Sequence, residues 1–166
     1  MFVLGIDPGL SRCGYGCVET ASPHARPVAA GVLRTAPDMP LPERLATLDA
    51  DLRALLADLR PEAVAVERLF FQVNARTAMA VGQASGLVLA TAARAGCTVA
   101  QYTPNEVKQA VAGYGAAPKE QVTRMVQSLL GLAAPPRPAD AADALALALC
   151  HIAMAPLRAR LGGVAR

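Results

Sequence analysis

The chain has 166 residues, of which 54% are hydrophobic and 17% are charged, so it can form one globular domain and is too apolar to be intrinsically disordered. Aromatic residues make up only 4% and tryptophan is absent, which leaves Ala, Leu and Val to build most of the core. The formal net charge of +3 permits an acidic partner such as nucleic acid but does not require one.

The cysteine pattern and the hydropathy pattern both favour a cytoplasmic protein. Four scattered cysteines without a C-x-x-C pair predict reduced, mostly buried thiols, at positions Cys13, Cys17, Cys97 and Cys150. No apolar run of about 18 residues lacks polar interruptions, so no membrane span is expected. The first residues lack the basic segment of a signal peptide, and Asp7 interrupts their apolar run.

The first third of the chain predicts three strands in succession. Residues 2–7 form a β-branched apolar run that Pro8-Gly9 stops, which is typical of a buried strand. Residues 13–20 and 28–35 predict a second and a third strand, with residues 22–27 as the turn between them. Three strands joined by short connections indicate an antiparallel meander.

Helices and strands alternate in the middle of the chain. Leucines recur every three or four positions over residues 45–59, which predicts an amphipathic helix. Residues 63–67 predict a short buried strand that ends on a carboxylate, and residues 97–102 predict another strand. Between them, residues 75–95 predict a long helix rich in Ala and Gly, whose small side chains suit either a core contact or a subunit contact.

The last third predicts three helices. Thr103-Pro104-Asn105-Glu106 has the form of a capping box with Pro at the first helical position. After a loop over residues 113–118, a helix is expected at 119–130 and, beyond the stiff connector 134–139, another at 140–155. The complete order predicts an α/β domain over residues 1–157, a mixed five-stranded sheet with helices on both faces, followed by a basic flexible tail at 158–166.

Four carboxylates stand at positions that favour a shared site. Asp7 and Glu67 end two predicted parallel strands, and ligands of open α/β sheets bind at such strand ends. Asp140 and Asp143 are three residues apart at the start of a helix, so they share one face. Asp7 alone could be a turn-former, and the aspartates alone could favour the helix dipole. A glutamate that ends an apolar strand has no comparable structural role.

Clustered carboxylates predict a hard divalent cation. Two unit charges about 4 Å apart repel by roughly 4 kcal/mol at an effective dielectric constant near 20, so four in one cleft require protons or a cation. Ligands that are all oxygen suit Mg²⁺ or Mn²⁺. Two such ions stabilise both the attacking and the leaving oxygen in phosphodiester hydrolysis, which is the predicted chemistry.

Five stretches in series resemble one known family. They are GIDPGL with GYG at residues 5–16, VERLFFQVNARTA at 66–78, GQASG at 82–86, VKQAVAGYGAAPKEQV at 107–122 and ADAADALALALCH at 139–151. In this order they resemble the RuvC family of bacterial Holliday-junction resolvases from residue 3 to about residue 152. The resemblance implies a ribonuclease-H-like fold, a homodimer, and Mg²⁺-dependent paired nicking of four-way DNA junctions in recombination and repair.

The resemblance also implies roles for individual residues. The catalytic and metal-ligating carboxylates of the family fall on Asp7, Glu67, Asp140 and Asp143. Its two essential lysines match Lys108 and Lys119, and its junction-probing aromatic matches Phe70. The expected DNA contacts are Arg68, Phe70, Phe71, Asn74, Arg76, Lys108 and Lys119. Val73 stands where the family often has a lysine, so Arg68 or Arg76 is expected to replace that phosphate contact. A partnership with the junction-migrating RuvA–RuvB complex is implied only by the resemblance.

Three other readings of the sequence have weaker support. An actin-like kinase or ATPase also carries a GIDPG-type start, but it needs a second lobe and a second phosphate loop. A non-catalytic junction-binding module would tolerate loss of the carboxylates, and here all four positions are filled. A related nuclease family that processes ribosomal RNA shares the GID start, whereas FFQVNA and DAADAL fit RuvC better.

Overall fold

A five-stranded sheet organises the described part of the chain, in the strand order β3-β2-β1-β4-β5. The computed structural model describes residues 1–21, 24–68 and 75–162. Its strands are β1 (Phe2–Asp7), β2 (Arg12–Ala21), β3 (His24–Arg34), β4 (Ala63–Glu67) and β5 (Thr98–Tyr102). Its helices are α1 (Leu41–Leu59), α2 (Ala75–Arg94), α3 (Pro104–Ala112), α4 (Lys119–Leu129) and α5 (Ala139–Gly162).

The predicted mixture of antiparallel and parallel strands is confirmed. β1, β2 and β3 form the antiparallel meander, while β4 pairs in parallel with β1 on one side and with β5 on the other. The central strand β1 is therefore the junction between the antiparallel half and the parallel half. This junction brings the carboxyl ends of β1 and β4 to the same edge of the sheet.

Helices cover both faces of the sheet, and each face has its own core. Alternate residues of β1 and β4 point to opposite faces, so Val3 and Ala65 join one core while Leu4 and Val64 join the other. The first core is closed by α3, α4 and α5, and the second by α1 and α2. On α2, the small residues Ala84 and Ala92 are buried in the second core, so part of its small-residue face is a core contact.

The turn predicted over residues 22–27 is wrong from His24 onward, because β3 begins at His24 and includes Pro27. Proline cannot donate a ladder hydrogen bond, but β3 is an edge strand and tolerates it. A register shift between Cys17 and Val18 places Val18 opposite Pro27 and Cys17 opposite Ala29. β3 thus accommodates Pro27 at a β-bulge or similar register shift in its pairing with β2. The sequence pattern does not predict this shift.

The last helix is longer than expected. α5 runs from Ala139 to Gly162, so the predicted end at Ala155 is wrong, and the first five residues of the predicted tail are helical. Pro156 lies within the helix instead of ending it. Residues 139–157 are long and apolar enough to cross a membrane by composition alone, yet 56% of that window is buried in the domain, as in the core helix of a globular protein.

The remaining local predictions agree with the structure. The capping box at the start of α3 is complete, since the Thr103 hydroxyl accepts from the Glu106 backbone N–H at 3.1 Å and Glu106 accepts from the Thr103 backbone N–H at 2.7 Å. α1 begins at Leu41, one turn before the leucine repeat, with a proline in its first turn. All four cysteines are free thiols.

Candidate active site

Asp7 and Glu67 lie at the ends of adjacent parallel strands. The β1–β4 register pairs Ile6 with Val66, so the next residue on each strand is a carboxylate. Both side chains line one cleft, of about 250 Å³, at this edge of the sheet. The two strands that end on Asp7 and Glu67 are therefore neighbours, and the two acids lie side by side.

Glycines on β1 and β2 bring α5 close enough to add its carboxylates. A Cβ at Gly5 would lie 1.9 Å from the Ala144 carbonyl oxygen, and one at Gly14 would lie 2.2 Å from the carbonyl oxygen of Asp140. The helix backbone therefore rests directly on the strand backbones, where any side chain would hold it away. This contact places Asp140 and Asp143 above the strand end that carries Asp7.

Each α5 carboxylate already pairs with a cation. Arg12, at the start of β2, donates from Nε to Asp140 Oδ2 at 2.9 Å and forms a second hydrogen bond to the same oxygen. Lys119, the first residue of α4, donates from Nζ to Asp143 Oδ2 at 2.6 Å. Two basic side chains, one from β2 and one from α4, thus partly neutralise the acidic cluster.

The pKa values reflect burial and crowding of the acids. Burial, followed by the negative charges of Glu67, Asp143 and Asp140, raises the pKa of Asp7 from 3.8 to about 7. Burial and then the charge of Asp143 raise the pKa of Glu67. The hydrogen bond that Arg12 donates to Asp140 lowers the pKa of Asp140. The hydrogen bond that Lys119 donates to Asp143 raises the pKa of Lys119. The least solvated pair, Asp7 and Glu67, is therefore the pair most in need of a compensating cation.

The predicted lysines lie in the same cleft as the acids. Lys108 and Lys119 line it together with Asp7, Glu67 and Asp143. Lys119 follows Pro118 at the start of α4, where free backbone N–H groups also favour an anion. A cleft lined by half-buried carboxylates and by two lysines can hold cations and a phosphate group at once.

The structure places the other predicted DNA contacts only in part. Arg68 is exposed just after β4, and its backbone N–H donates to the Tyr102 carbonyl at 2.7 Å. Arg76 belongs to the first turn of α2, but its side chain lies outside the described part of the chain. Phe70, Phe71 and Asn74 also lie outside the described residues, so their roles remain predictions.

The donor chemistry of the acids fits a hard divalent ion, although the ligand set is not assembled. In residues 1–21, 24–68 and 75–162, no group of three or more His, Cys, Asp or Glu side chains is arranged to hold a metal ion. Asp140 and Asp143 each direct an oxygen to a basic side chain. The oxygen-only donors and the raised pKa of Asp7 nevertheless suit Mg²⁺ or Mn²⁺.

The family model for crossover junction endodeoxyribonuclease RuvC matches residues 3–151. The chain belongs to the RuvC family. The match includes β1, β4, and the part of α5 that carries Asp140 and Asp143, so all four acids fall within it. The resemblance inferred from the five sequence stretches is therefore confirmed.

Individual RuvC proteins resemble the chain over nearly its whole length. The crossover junction endodeoxyribonuclease RuvC of Moorella thermoacetica is 55% identical over 160 residues, which cover 96% of each chain. That of Salinispora arenicola is 56% identical over 168 residues, covering 99% of this chain and 95% of the relative. The Thermus thermophilus RuvC structure in complex with a Holliday junction substrate has a TM-score of 0.89 at 45% identity, covering 95% and 96% of the two chains.

A more distant likeness supports the fold alone. The yeast mitochondrial Holliday junction resolvase Ydc2 has a TM-score of 0.64 at 15% identity, and the match covers 89% of this chain. Together with the Thermus RuvC structures, it supports the ribonuclease-H-like sheet that the resemblance implied.

Arg12 contacts the candidate site but is not predicted from the sequence. Arg12 follows Asp7 by five positions and pairs with Asp140, which is 128 residues away in the chain. The only available signal was a basic residue just beyond a strand that ends on a carboxylate. Such a residue is usually a solvated surface group, so only the contact itself assigns it to the site.

Proposed function

We propose that the chain resolves four-way DNA junctions by hydrolysing phosphodiester bonds in the cleft that Asp7 and Glu67 share. The observation that carries the proposal is the convergence of these two acids with Lys108, Lys119 and Asp143 in one cleft, in a chain of the RuvC family. The activity is that of a crossover junction endodeoxyribonuclease, which acts in homologous recombination and DNA repair. It belongs to the hydrolases.

The proposed cofactor is Mg²⁺, with two ions per site and Mn²⁺ as a substitute. Asp7, Glu67, Asp140 and Asp143 would hold the ions, which would supply an activated water and stabilise the developing charges at phosphorus. The support is the donor set: four oxygen ligands, two of them at the ends of buried strands and two now paired with cations. The rigid sheet fixes Asp7 and Glu67 before any ligand arrives.

The chain's own basic residues would hold the phosphate. Lys119 and Lys108 place positive charge on the cleft wall, where it stabilises the extra negative charge of a phosphoryl transition state. Arg68, Arg76 and Asn74 would contact the sugar-phosphate backbone of the DNA. Phe70 and Phe71 are proposed to stack at the crossover, where base stacking is already interrupted.

Paired nicking requires two active sites, so we propose a homodimer. α2 buries Ala84, Val88 and Ala92 against its own domain, while Met79 on the same helix is 64% exposed. The face of α2 that includes Met79 is therefore the candidate dimer surface. Cooperation with a junction-migrating RuvA–RuvB complex and a cytoplasmic location, where DNA is accessible, complete the proposal.

The activity is tested with a synthetic four-way junction and a plain duplex of matching sequence, each incubated with Mg²⁺ or with EDTA. We expect symmetric nicks in the junction alone and only with Mg²⁺. Equal cutting of the duplex, or preference for an RNA substrate, would contradict junction resolution. Tight junction binding without any cleavage would instead identify a non-catalytic binding module.

Lys119→Ala is expected to slow junction cleavage by about 10²-fold, the usual effect of losing one charged group that stabilises a transition state. Single-turnover cleavage at saturating Mg²⁺ measures the effect. The matched control is Arg124→Ala, which removes an exposed cation from the same helix outside the cleft. Equal losses in the two variants would show that net charge, not the position of Lys119, is responsible.

A further inference from the structure

The guanidinium of Arg12 is bound to Oδ2 of Asp140, an oxygen that the proposed metal site can use. Both of its hydrogen bonds to Asp140 end on Oδ2, one from Nε at 2.9 Å and one from a terminal nitrogen at 2.5 Å. The side chains remain accessible, with exposed fractions of 42% for Arg12 and 28% for Asp140. The pair therefore lies at the rim of the site, where solvent and ligands reach it.

An arginine cannot leave a carboxylate by losing its proton, because a guanidinium stays protonated in any protein environment. A divalent ion that binds Oδ2 of Asp140 therefore requires the guanidinium itself to move away. The cost of this movement is the loss of two charge-assisted hydrogen bonds. A new anionic partner for Arg12 would offset that cost.

The surroundings of Arg12 indicate what the new partner is. β2 and β3 pair Arg12 with Arg34, which is exposed, across the edge of the sheet. Arg44 of α1 donates a hydrogen bond from a terminal nitrogen to the hydroxyl of Ser11, the residue before Arg12, at 2.5 Å. Three arginines thus form a rim beside the acidic cleft: Arg12, Arg34 and Arg44. Such a rim fits the phosphates of a nucleic-acid backbone, which guanidinium binds in a bidentate manner.

We propose that Arg12 exchanges partners, neutralising Asp140 in the metal-free protein and contacting a DNA phosphate once a divalent ion takes Asp140. This inference rests on the proposed metal-dependent junction cleavage. It makes Arg12 a positioning residue that couples the two ligands. Metal binding at Asp140 releases Arg12 to contact a phosphate, and phosphate binding at Arg12 releases Asp140 to bind the metal ion. Each ligand therefore tightens the binding of the other.

The first test measures metal binding without DNA. Wild type, Arg12→Ala and Arg34→Ala are each titrated with Mg²⁺ while the melting temperature is recorded. Removing the competing guanidinium is expected to lower the half-saturating Mg²⁺ concentration by about fivefold, at the lower end of usual coupling effects. Arg34→Ala is the matched control, since it removes the same charge from the paired position on the neighbouring strand. Equal shifts in the two variants would overturn the exchange.

The second test measures junction affinity against salt, by fluorescence anisotropy, in EDTA and in Ca²⁺. A gel of the recovered DNA verifies that the strands stay intact. Loss of one phosphate contact lowers the slope of log affinity against log salt by about 0.9. Arg12→Ala is expected to show this loss in Ca²⁺ and not in EDTA, whereas Arg34→Ala is expected to behave alike in both. The same loss for Arg12→Ala in both conditions would overturn the exchange.

The two tests separate failure of this inference from failure of the proposed function. A wild-type melting temperature that does not respond to Mg²⁺ would reject the metal site itself. A wild-type response with indistinguishable Arg12→Ala and Arg34→Ala variants would reject only the exchange. If Arg12→Ala does not fold, Arg12→Gln removes the charge while keeping a polar side chain, and it carries the same expectations.

Discussion

Replacing Asp7 with Asn is expected to reduce junction cleavage by about 10³-fold or more, because metal ions contribute several kcal/mol of transition-state stabilisation. The substitution keeps the shape of the side chain but removes its charge, where Asp7 and Glu67 share the cleft. Junction affinity is expected to stay close to that of wild type, since the proposed DNA contacts are basic and aromatic. Single-turnover cleavage and anisotropy measure the two quantities separately.

The control for this variant is Asp51→Asn, which removes an exposed carboxylate from α1, outside the cleft-lining residues. It is expected to cut junctions as wild type does. An Asp7→Asn protein that still cuts in Mg²⁺ at the wild-type rate would show that Asp7 is not a metal ligand. A loss of junction binding equal to the loss of cleavage would show that Asp7 acts through the DNA interface or the fold.

The same variant is expected to be more stable than wild type at high pH without metal. A pKa raised from 3.8 to about 7 means that the folded state binds the Asp7 proton more tightly than the unfolded state. The resulting penalty is absent below about pH 4, grows between pH 4 and 7, and is complete above pH 7. At 1.36 kcal/mol per pKa unit its upper limit is roughly 4 kcal/mol.

Because Glu67 shares the charge repulsion with Asp7, the expected gain in the free energy of unfolding is smaller, about 1–2 kcal/mol at pH 8. Urea unfolding of wild type and Asp7→Asn in EDTA, at pH 8 and at pH 4, measures it. The two proteins are expected to converge at pH 4. A difference that is the same at both pH values would show that the charge of Asp7 is not its cause.

Gly5→Ala is expected to lower the free energy of unfolding by about 3 kcal/mol or more, the upper range for overpacking a core. The new methyl group would lie 1.9 Å from the Ala144 carbonyl oxygen and 2.8 Å from the Ala148 nitrogen. Both are backbone atoms of α5, so no side-chain rotation relieves the clash. The helix must move away from β1, and Asp143 moves with it.

Urea unfolding is expected to show the loss of stability in Gly5→Ala, and junction cleavage is expected to be slower because Asp143 is displaced. At 2–4 °C per kcal/mol for a chain of this size, the melting temperature falls by about 10 °C. The matched control is Gly115→Ala, where the nearest atom lies 3.5 Å from an added Cβ, and which is expected to change stability by less than about 0.5 kcal/mol. A Gly5→Ala protein as stable and active as wild type would show that α5 is not held by this backbone contact.

Much of the domain could be predicted from the sequence because its signals are local. The Pro-Gly after β1, the leucine repeat of α1 and the capping box of α3 each depend on residues within a few positions of one another. The strand-end acids Asp7 and Glu67 are recognisable for the same reason, since a carboxylate that ends an apolar run is unusual in its own segment. The spacing of Asp140 and Asp143 at the start of one helix favours the same site, and the family motifs imply it as well.

The irregular features depend on neighbours that lie far away in the chain. Pro27 is tolerated in β3 because that strand is at the edge of the sheet, and α5 continues past Ala155 although it contains Pro156. Local propensity disfavours both features, so a sequence pattern predicts a turn and a helix end. Local propensity does not tell whether a strand lies at the edge of a sheet, because that position depends on the tertiary structure.

The order of strands and helices, the two acids at strand ends and the resemblance to the RuvC family can all be predicted from the amino-acid sequence. The pairing of Arg12 with Asp140, and the close contact of α5 with Gly5 and Gly14, become visible only in the folded chain. Distance along the chain accounts for the difference. Periodicity and turn chemistry act over a few residues, whereas the charge and contact that define this cleft join segments more than 100 residues apart.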